Sequence, residues 1–164
     1  MRSRPATLHM FFGKIASGKS TLASRLAEAG GTVLISEDHF LSSLYPGEIS
    51  TVRDYARCAE RLRTAIGPHI VQLLADGTSV VLDFQANTKD ARAWMRGLFE
   101  EAGAQHMLHH LQLAEEVCLK RLHERNASGR HDYHVSDADF RTFNSYIVPP
   151  TSDEAFEIVL HSVS

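Results

Sequence analysis

Short apolar runs alternate with segments of helical period along most of the chain. Leu8-His9-Met10-Phe11-Phe12 is brief and mostly apolar and reads as a strand, and Thr21 to Ala27 places Leu22 and Leu26 one turn apart, as a helix does. Gly30-Gly31 is a stop signal for that helix. Thr32 to Ser36 reads as a second, buried strand, ending in Glu37-Asp38-His39-Phe40. Leu41 to Ser50 contains Tyr45-Pro46-Gly47, lacks helical period and is expected to be an irregular loop. From Tyr55 onward, Ala59, Leu62, Ile66, Ile70, Leu73 and Leu74 recur every three or four residues, the mark of a long helix. Pro68 is expected to kink or split it.

The alternation continues downstream. Asp76-Gly77 turns the chain into the strand Ser79 to Asp83, and Phe84 to Thr88 reads as loop. Ala91, Trp94, Met95, Leu98, Phe99 and Ala102 mark an amphipathic helix closed by Gly103. His106 to Leu113 reads as a strand and Glu115 to Arg125 as a charged helix. Ser136-x-x-Asp139 opens a last helix with Phe140, Phe143 and Ile147 on one face, and Pro149-Pro150 ends it. Phe156 to His161 closes the chain as a strand.

Strands alternating with helices predict an α/β fold, a five-stranded, mainly parallel sheet with helices on both faces. In such sheets ligands gather at the carboxyl ends of the strands, here near Gly13, Asp38 and Asp83. At 164 residues the chain is expected to form a single domain, 1–164. Hydrophobic content of 43% and charged content of 23% are those of a globular protein. The net charge of −3 argues against a surface that coats polynucleotides. The only cysteines, Cys58 and Cys118, make neither a disulfide framework nor a metal cluster and suit a reducing cytoplasm. No run of about 18 apolar residues predicts a membrane span, and no signal peptide is read at the N-terminus.

The chemistry centres on Gly13-Lys14-Ile15-Ala16-Ser17-Gly18-Lys19-Ser20, which fits G-x-x-x-x-G-K-[ST] between a strand and a helix. Gly13 and Gly18 let the backbone turn tightly and approach phosphate oxygens. The consecutive N–H groups of Ala16, Ser17 and Gly18 and the helix's positive end attract anions. Lys19 reaches the β- and γ-phosphates of a nucleotide, Ser20 is a ligand for Mg²⁺, and Thr21 supports the α-phosphate. Lys14 is read as solvated.

Asp38 has two readings: a cap on the segment that follows it, or a carboxylate that takes a proton from a substrate hydroxyl. Asp83 ends its strand either as a Mg²⁺-holding acid of the Walker-B kind or as the anchor of a loop. Arg121 and Arg125 share a helix face, and Arg130 follows a small Ala-Ser-Gly turn. Such a stretch, about 121–135, is either a solvated face or a lid that brings guanidinium groups to a transferring phosphoryl. The ten histidines, His106, His109, His110, His131 and His134 among them, show no metal-ligand spacing and are read as surface or packing residues.

The order of these motifs resembles one branch of P-loop kinases, that of zeta-toxin-like kinases, chloramphenicol phosphotransferase and the polynucleotide 5′-kinases. The resemblance covers nearly the whole chain and implies the three-layer P-loop NTPase fold with a short arginine-bearing lid. It places Asp38 as catalytic base, Lys19 and Ser20 on phosphate and Mg²⁺, Arg125 and Arg130 as lid arginines, Asp83 as the acid of the third strand and Pro149-Pro150-Thr151 near adenine. Polynucleotide kinases carry an arginine shortly after the base, for substrate phosphate. Here Leu41 stands there and Glu37 precedes the base, which turns the reading toward a small-molecule acceptor. The expected activity is ATP-dependent, Mg²⁺-assisted transfer of the γ-phosphoryl group to a hydroxyl. A polynucleotide 5′-hydroxyl kinase and a nucleotide-binding ATPase without phosphotransfer are the alternatives. The expected partners are ATP and the acceptor, with no membrane and with nucleic acid disfavoured.

Overall fold

The computed structural model describes residues 4–129 and 134–162. Five strands form one sheet: β1 Thr7–Phe12, β2 Thr32–Ser36, β3 Ser79–Gln85, β4 Gln105–Gln112 and β5 Ile158–Ser162. They lie in the order β2-β3-β1-β4-β5, and each neighbouring pair is parallel. Parallel neighbours require crossovers. These run through the helices α1 Lys19–Leu26, α2 Glu37–Leu44, α3 Val52–Ala75, α4 Lys89–Ala102, α5 Glu115–Ser128 and α6 Asp137–Ser145.

Alternation along the strands sorts side chains onto two faces. Leu8, Met10, Val80, Leu82 and Leu108 pack with Leu62 and Ile70 of α3 and Met95 and Leu98 of α4. Phe11, Val81 and Leu111 point the other way, against Ala23, Leu22 and Leu26 of α1. A third cluster joins Cys118 and Leu122 of α5 and Phe140 of α6 to Ile15 in the loop after β1. That cluster fastens the helix carrying Arg121 and Arg125 to the glycine-bearing loop. Among the described residues no helix is long and apolar enough to cross a membrane.

Four elements differ from the expectation. Residues 41–44 are helical as the second turn of α2, so the irregular stretch begins at Tyr45. Ser36 starts α2 by accepting the His39 N–H at 3.3 Å, and Glu37 and Asp38 in its first turn suit the helix's positive end. Pro68 does not split α3, which runs from Val52 to Ala75. Gly67 beside it packs on Trp94 and Leu98 of α4, and Ile70 is fully buried, so helix–helix packing outweighs the one backbone bond that proline forfeits. β3 extends to Gln85, into the expected loop. α6 ends at Ser145, short of Pro149-Pro150.

On the α1 side of the sheet, three imidazoles form a ladder across β1, β4 and β5. His9 Nδ1 lies 3.0 Å from His109 Nε2, and His109 Nδ1 lies 2.9 Å from His161 Nε2. His109, buried and stacked on Phe11, is held down to about 4, first by burial and then by the charges its two neighbours would carry. A histidine with a lowered folded pKa adds stability that is complete above its unfolded value near 6.5 and lost as pH falls from there toward 4. Denaturant melts between pH 7 and 4 are expected to show a loss of about 1–3 kcal/mol. His109→Gln is expected to flatten that slope; an unchanged slope would place the acid sensitivity elsewhere.

Candidate active site

The loop between β1 and α1 closes tightly because two positions carry glycine. A Cβ on Gly13 would lie 2.7 Å from Ser17 Oγ and 3.1 Å from the Leu111 carbonyl oxygen. Gly18 has a φ of 98°, a region L side chains avoid. Ala16 takes a φ of 61° without being glycine, the kind of local strain that collects at functional loops. Asn87, just past β3, grips the loop's start on both sides. Gly13 N–H donates to its Oδ1 at 3.0 Å, and its Nδ2 donates to the Gly13 carbonyl at 2.9 Å.

The Lys19 ammonium folds onto its own loop, donating to the carbonyls of Gly13 at 2.6 Å and Lys14 at 2.7 Å. Burial holds its pKa down to about 8, against the opposing pull of Asp83 and Asp38. A polyphosphate offers that ammonium better acceptors than carbonyl oxygens. Ser20 Oγ donates to Asp83 Oδ2 at 2.8 Å, so the two residues expected at the metal stand together. Burial raises the Asp83 carboxyl while the Ser20 bond and Lys19 lower it. A hydroxyl beside a half-buried carboxylate is a donor set that fits Mg²⁺, a cation of oxygen ligands. Thr21 lines the same cavity, whereas Ser17 is buried beneath the loop with its hydroxyl unpartnered. Lys14 is not merely solvated, because its Nζ donates to the Leu113 carbonyl at 3.3 Å.

The cavity above the loop measures about 600 Å³, within the range of small-molecule sites. Asp38, Asp83, Arg121 and Arg125 all line it. Asp38 is not the cap of α2, since Ser36 holds that place. Its charge instead acts on Lys19 and Arg125. Arg121 reaches over the loop, its Nη1 3.9 Å from where a Gly18 Cβ would stand. Arg125 is lowered by burial and raised by Asp38, and its Nε is buried without a partner. Arg130, together with most of the expected lid's tip, lies outside the described residues.

Glu37, which the sequence marks only as the acid beside Asp38, and Tyr55, which it marks only as a helix position, line the same cavity. The Tyr55 hydroxyl donates to Glu37 Oε1, while Glu37 Oε2 is buried without a partner. Burial raises Glu37 to about 7, opposed by the Tyr55 bond and by Arg63, and reinforced by Asp38 and Asp83. From α6, Asp139 and Phe143 complete the wall, with Phe143 edge-on to Tyr55 at 5.5 Å between ring centres. Tyr55 reads from periodicity as an ordinary core position. The only available signal for Glu37 was its acidity directly before Asp38.

Comparison with known proteins bears on this arrangement. The family model described as an AAA domain matches residues 8–150. No curated protein matches the chain. Among solved structures, a candidate kinase from Chloroflexus aurantiacus is similar at 20% identity and TM-score 0.76, covering 99% of this chain and 87% of that one. A gluconokinase from Sinorhizobium meliloti 1021 is similar at 23% identity and TM-score 0.62, with 99% and 85% covered. The Mycobacterium tuberculosis APS kinase, in complex with AMPPNP and APS, is similar at 22% identity and TM-score 0.60, with 99% and 91% covered. At these identities the likeness shows the fold, that of P-loop kinases.

Proposed function

Since the chain belongs to the AAA domain family, we propose that it is an ATP-dependent kinase that phosphorylates a hydroxyl of a small molecule. The observation that carries this reading is the joint placement of Asp38 with Lys19 and Arg125 around one cavity, its carboxylate acting on both cations. A nucleotide switch needs no acidic group on the acceptor's side; a phosphotransferase does. That the APS kinase of the same fold was solved with AMPPNP supports a nucleotide in the loop.

In the reaction, Asp38 accepts the proton of the acceptor hydroxyl as its oxygen bonds to the γ-phosphorus. The bond from that phosphorus to the β–γ bridging oxygen breaks, and ADP leaves. Lys19 and the N–H groups of residues 16–19 hold the phosphates, and Arg125 meets the charge spread over the moving phosphoryl oxygens. Ser20 and Asp83 would hold Mg²⁺, which would supply charge neutralisation to the phosphates.

Incubation with γ-labelled ATP, Mg²⁺ and pools of hydroxyl compounds is expected to move label into a small molecule. In the same assay Lys19→Ala is expected to lose roughly 10²–10³-fold in rate. Its melting temperature should stay near wild type, because glycines and Asn87 shape the loop. Label released as free phosphate whatever acceptor is present would instead identify an ATPase. Transfer confined to 5′-hydroxyl oligonucleotides, with salt-sensitive binding, would identify a polynucleotide kinase.

A further inference from the structure

Arg125 lines the cavity from the last turn of α5. A helix's last turn leaves its carbonyls without partners inside the helix, and fraying starts there. Ser128 Oγ donates to the Arg125 carbonyl at 2.7 Å, a bond within the turn itself. Asp38 acts on the charge of the guanidinium, but its Nε is buried without a partner. Where the group stands therefore depends on whether the backbone of this turn is held from outside.

Asn126, the next residue, does not line the cavity. Its amide turns instead to the segment that leads into α6 and pairs with both backbone groups of Val135. Nδ2 donates to the Val135 carbonyl at 2.7 Å, and Oδ1 accepts the Val135 N–H at 3.3 Å. One bond fixes a distance; two also fix how the segment is turned. Ser136 then caps α6, which brings Asp139 and Phe143 to the cavity. A second link, from His123 Nε2 to Asp137 Oδ1 at 2.6 Å, joins two side chains that are each about half exposed, where water weakens such a pair. Asparagine is a poorer helix former than alanine, so the helix itself gains nothing from it. What it adds to this turn is the grip on Val135.

We propose, resting on the kinase reading above and on the role it gives Arg125, that Asn126 is a positioning residue. By gripping Val135 it holds the last turn of α5 in place and so keeps Arg125 facing the transferring phosphoryl group.

Asn126→Ala removes both bonds while favouring the helix, so a loss in rate comes from the amide. With γ-labelled ATP, Mg²⁺ and the pooled hydroxyl compounds, it is expected to slow single-turnover transfer about tenfold and to leave ATP affinity within about twofold. A double-mutant cycle with Arg125→Ala decides the matter. In that background Asn126→Ala is expected to cost less than about twofold, because the group it positions is gone. A loss of about tenfold in both backgrounds overturns the inference, as does an unchanged rate in the single variant. His123→Ala is expected to stay within about threefold of wild type; a loss equal to that of Asn126→Ala assigns the effect to the junction of α5 and α6 at large and overturns it too. Melts of every variant expose a merely structural role, which would lower the melting temperature and slow both backgrounds alike. Failure of the kinase reading looks different: the wild-type protein would release its label only as free phosphate. The same cycle, read on that release, still decides whether Asn126 acts through Arg125.

Discussion

Asp38→Asn is expected to leave ATP·Mg²⁺ affinity close to wild type and to slow phosphoryl transfer by about 10²–10⁴-fold. Asparagine keeps the size and hydrogen-bonding capacity of the side chain but cannot take the acceptor's proton. The helix it sits on should persist, because Ser36 caps α2 and Leu41 anchors it in the core. The substitution also removes a negative charge that acts on Lys19 and Arg125. Those cations then lose an intramolecular attraction that competes with phosphate, so nucleotide binding is not weakened. Single-turnover transfer measured beside equilibrium nucleotide titration separates the two quantities. Transfer at the wild-type rate would remove Asp38 from the chemistry and, with it, the strongest support for a phosphotransferase.

Arg125→Ala is expected to cost about 10³-fold in transfer rate and much less in ATP affinity. The guanidinium is partly desolvated at the cavity wall, its Nε has no partner, and its pKa is lowered by burial. A cation in that condition gains most when charge accumulates on the transferring phosphoryl group, and least when ground-state ATP binds. Arg125→Lys restores the charge but not the planar fork and is expected to recover only part of the rate. If titration shows a matching loss of ATP affinity and no added loss in the single-turnover step, Arg125 is a binding group alone.

The parts of this architecture that were legible in the sequence are those set by local rules. G-x-x-x-x-G-K-S between an apolar run and a helical one specifies its own geometry, so the loop, Lys19 and Ser20 stand where spacing puts them. The five strands, Gly103 closing α4 and Ser136 accepting the Asp139 N–H at 3.1 Å to start α6 are equally local. What escaped depends on contacts distant in the chain. α2 spans only Glu37–Leu44, too short to display a period, and its register is set by Leu41 entering a core assembled from α3 and β3. Glu37 and Tyr55 are 18 positions apart, and nothing in either neighbourhood foretells their bond. Pro68 obeys its local rule in lacking an N–H, yet α4 holds the helix together across it.

Asn87 joins three stretches of chain. Besides its two bonds to Gly13, its backbone carbonyl accepts the Val148 N–H at 2.8 Å, while the neighbouring Ala86 N–H bonds the Phe11 carbonyl at 2.9 Å. The buried Arg92 guanidinium strengthens the same junction, donating to the Ala86 and Val148 carbonyls and pairing with Glu154 at 2.8 Å. The mouth of the phosphate loop, the exit from β3 and the chain leaving α6 therefore open as one cooperative unit. Slackening at residues 146–154 becomes entropy in the loop, and a ligand that steadies one end of this unit steadies the other. On the proposed kinase reading, nucleotide affinity is in that way tied to a segment of chain more than a hundred positions from Lys19.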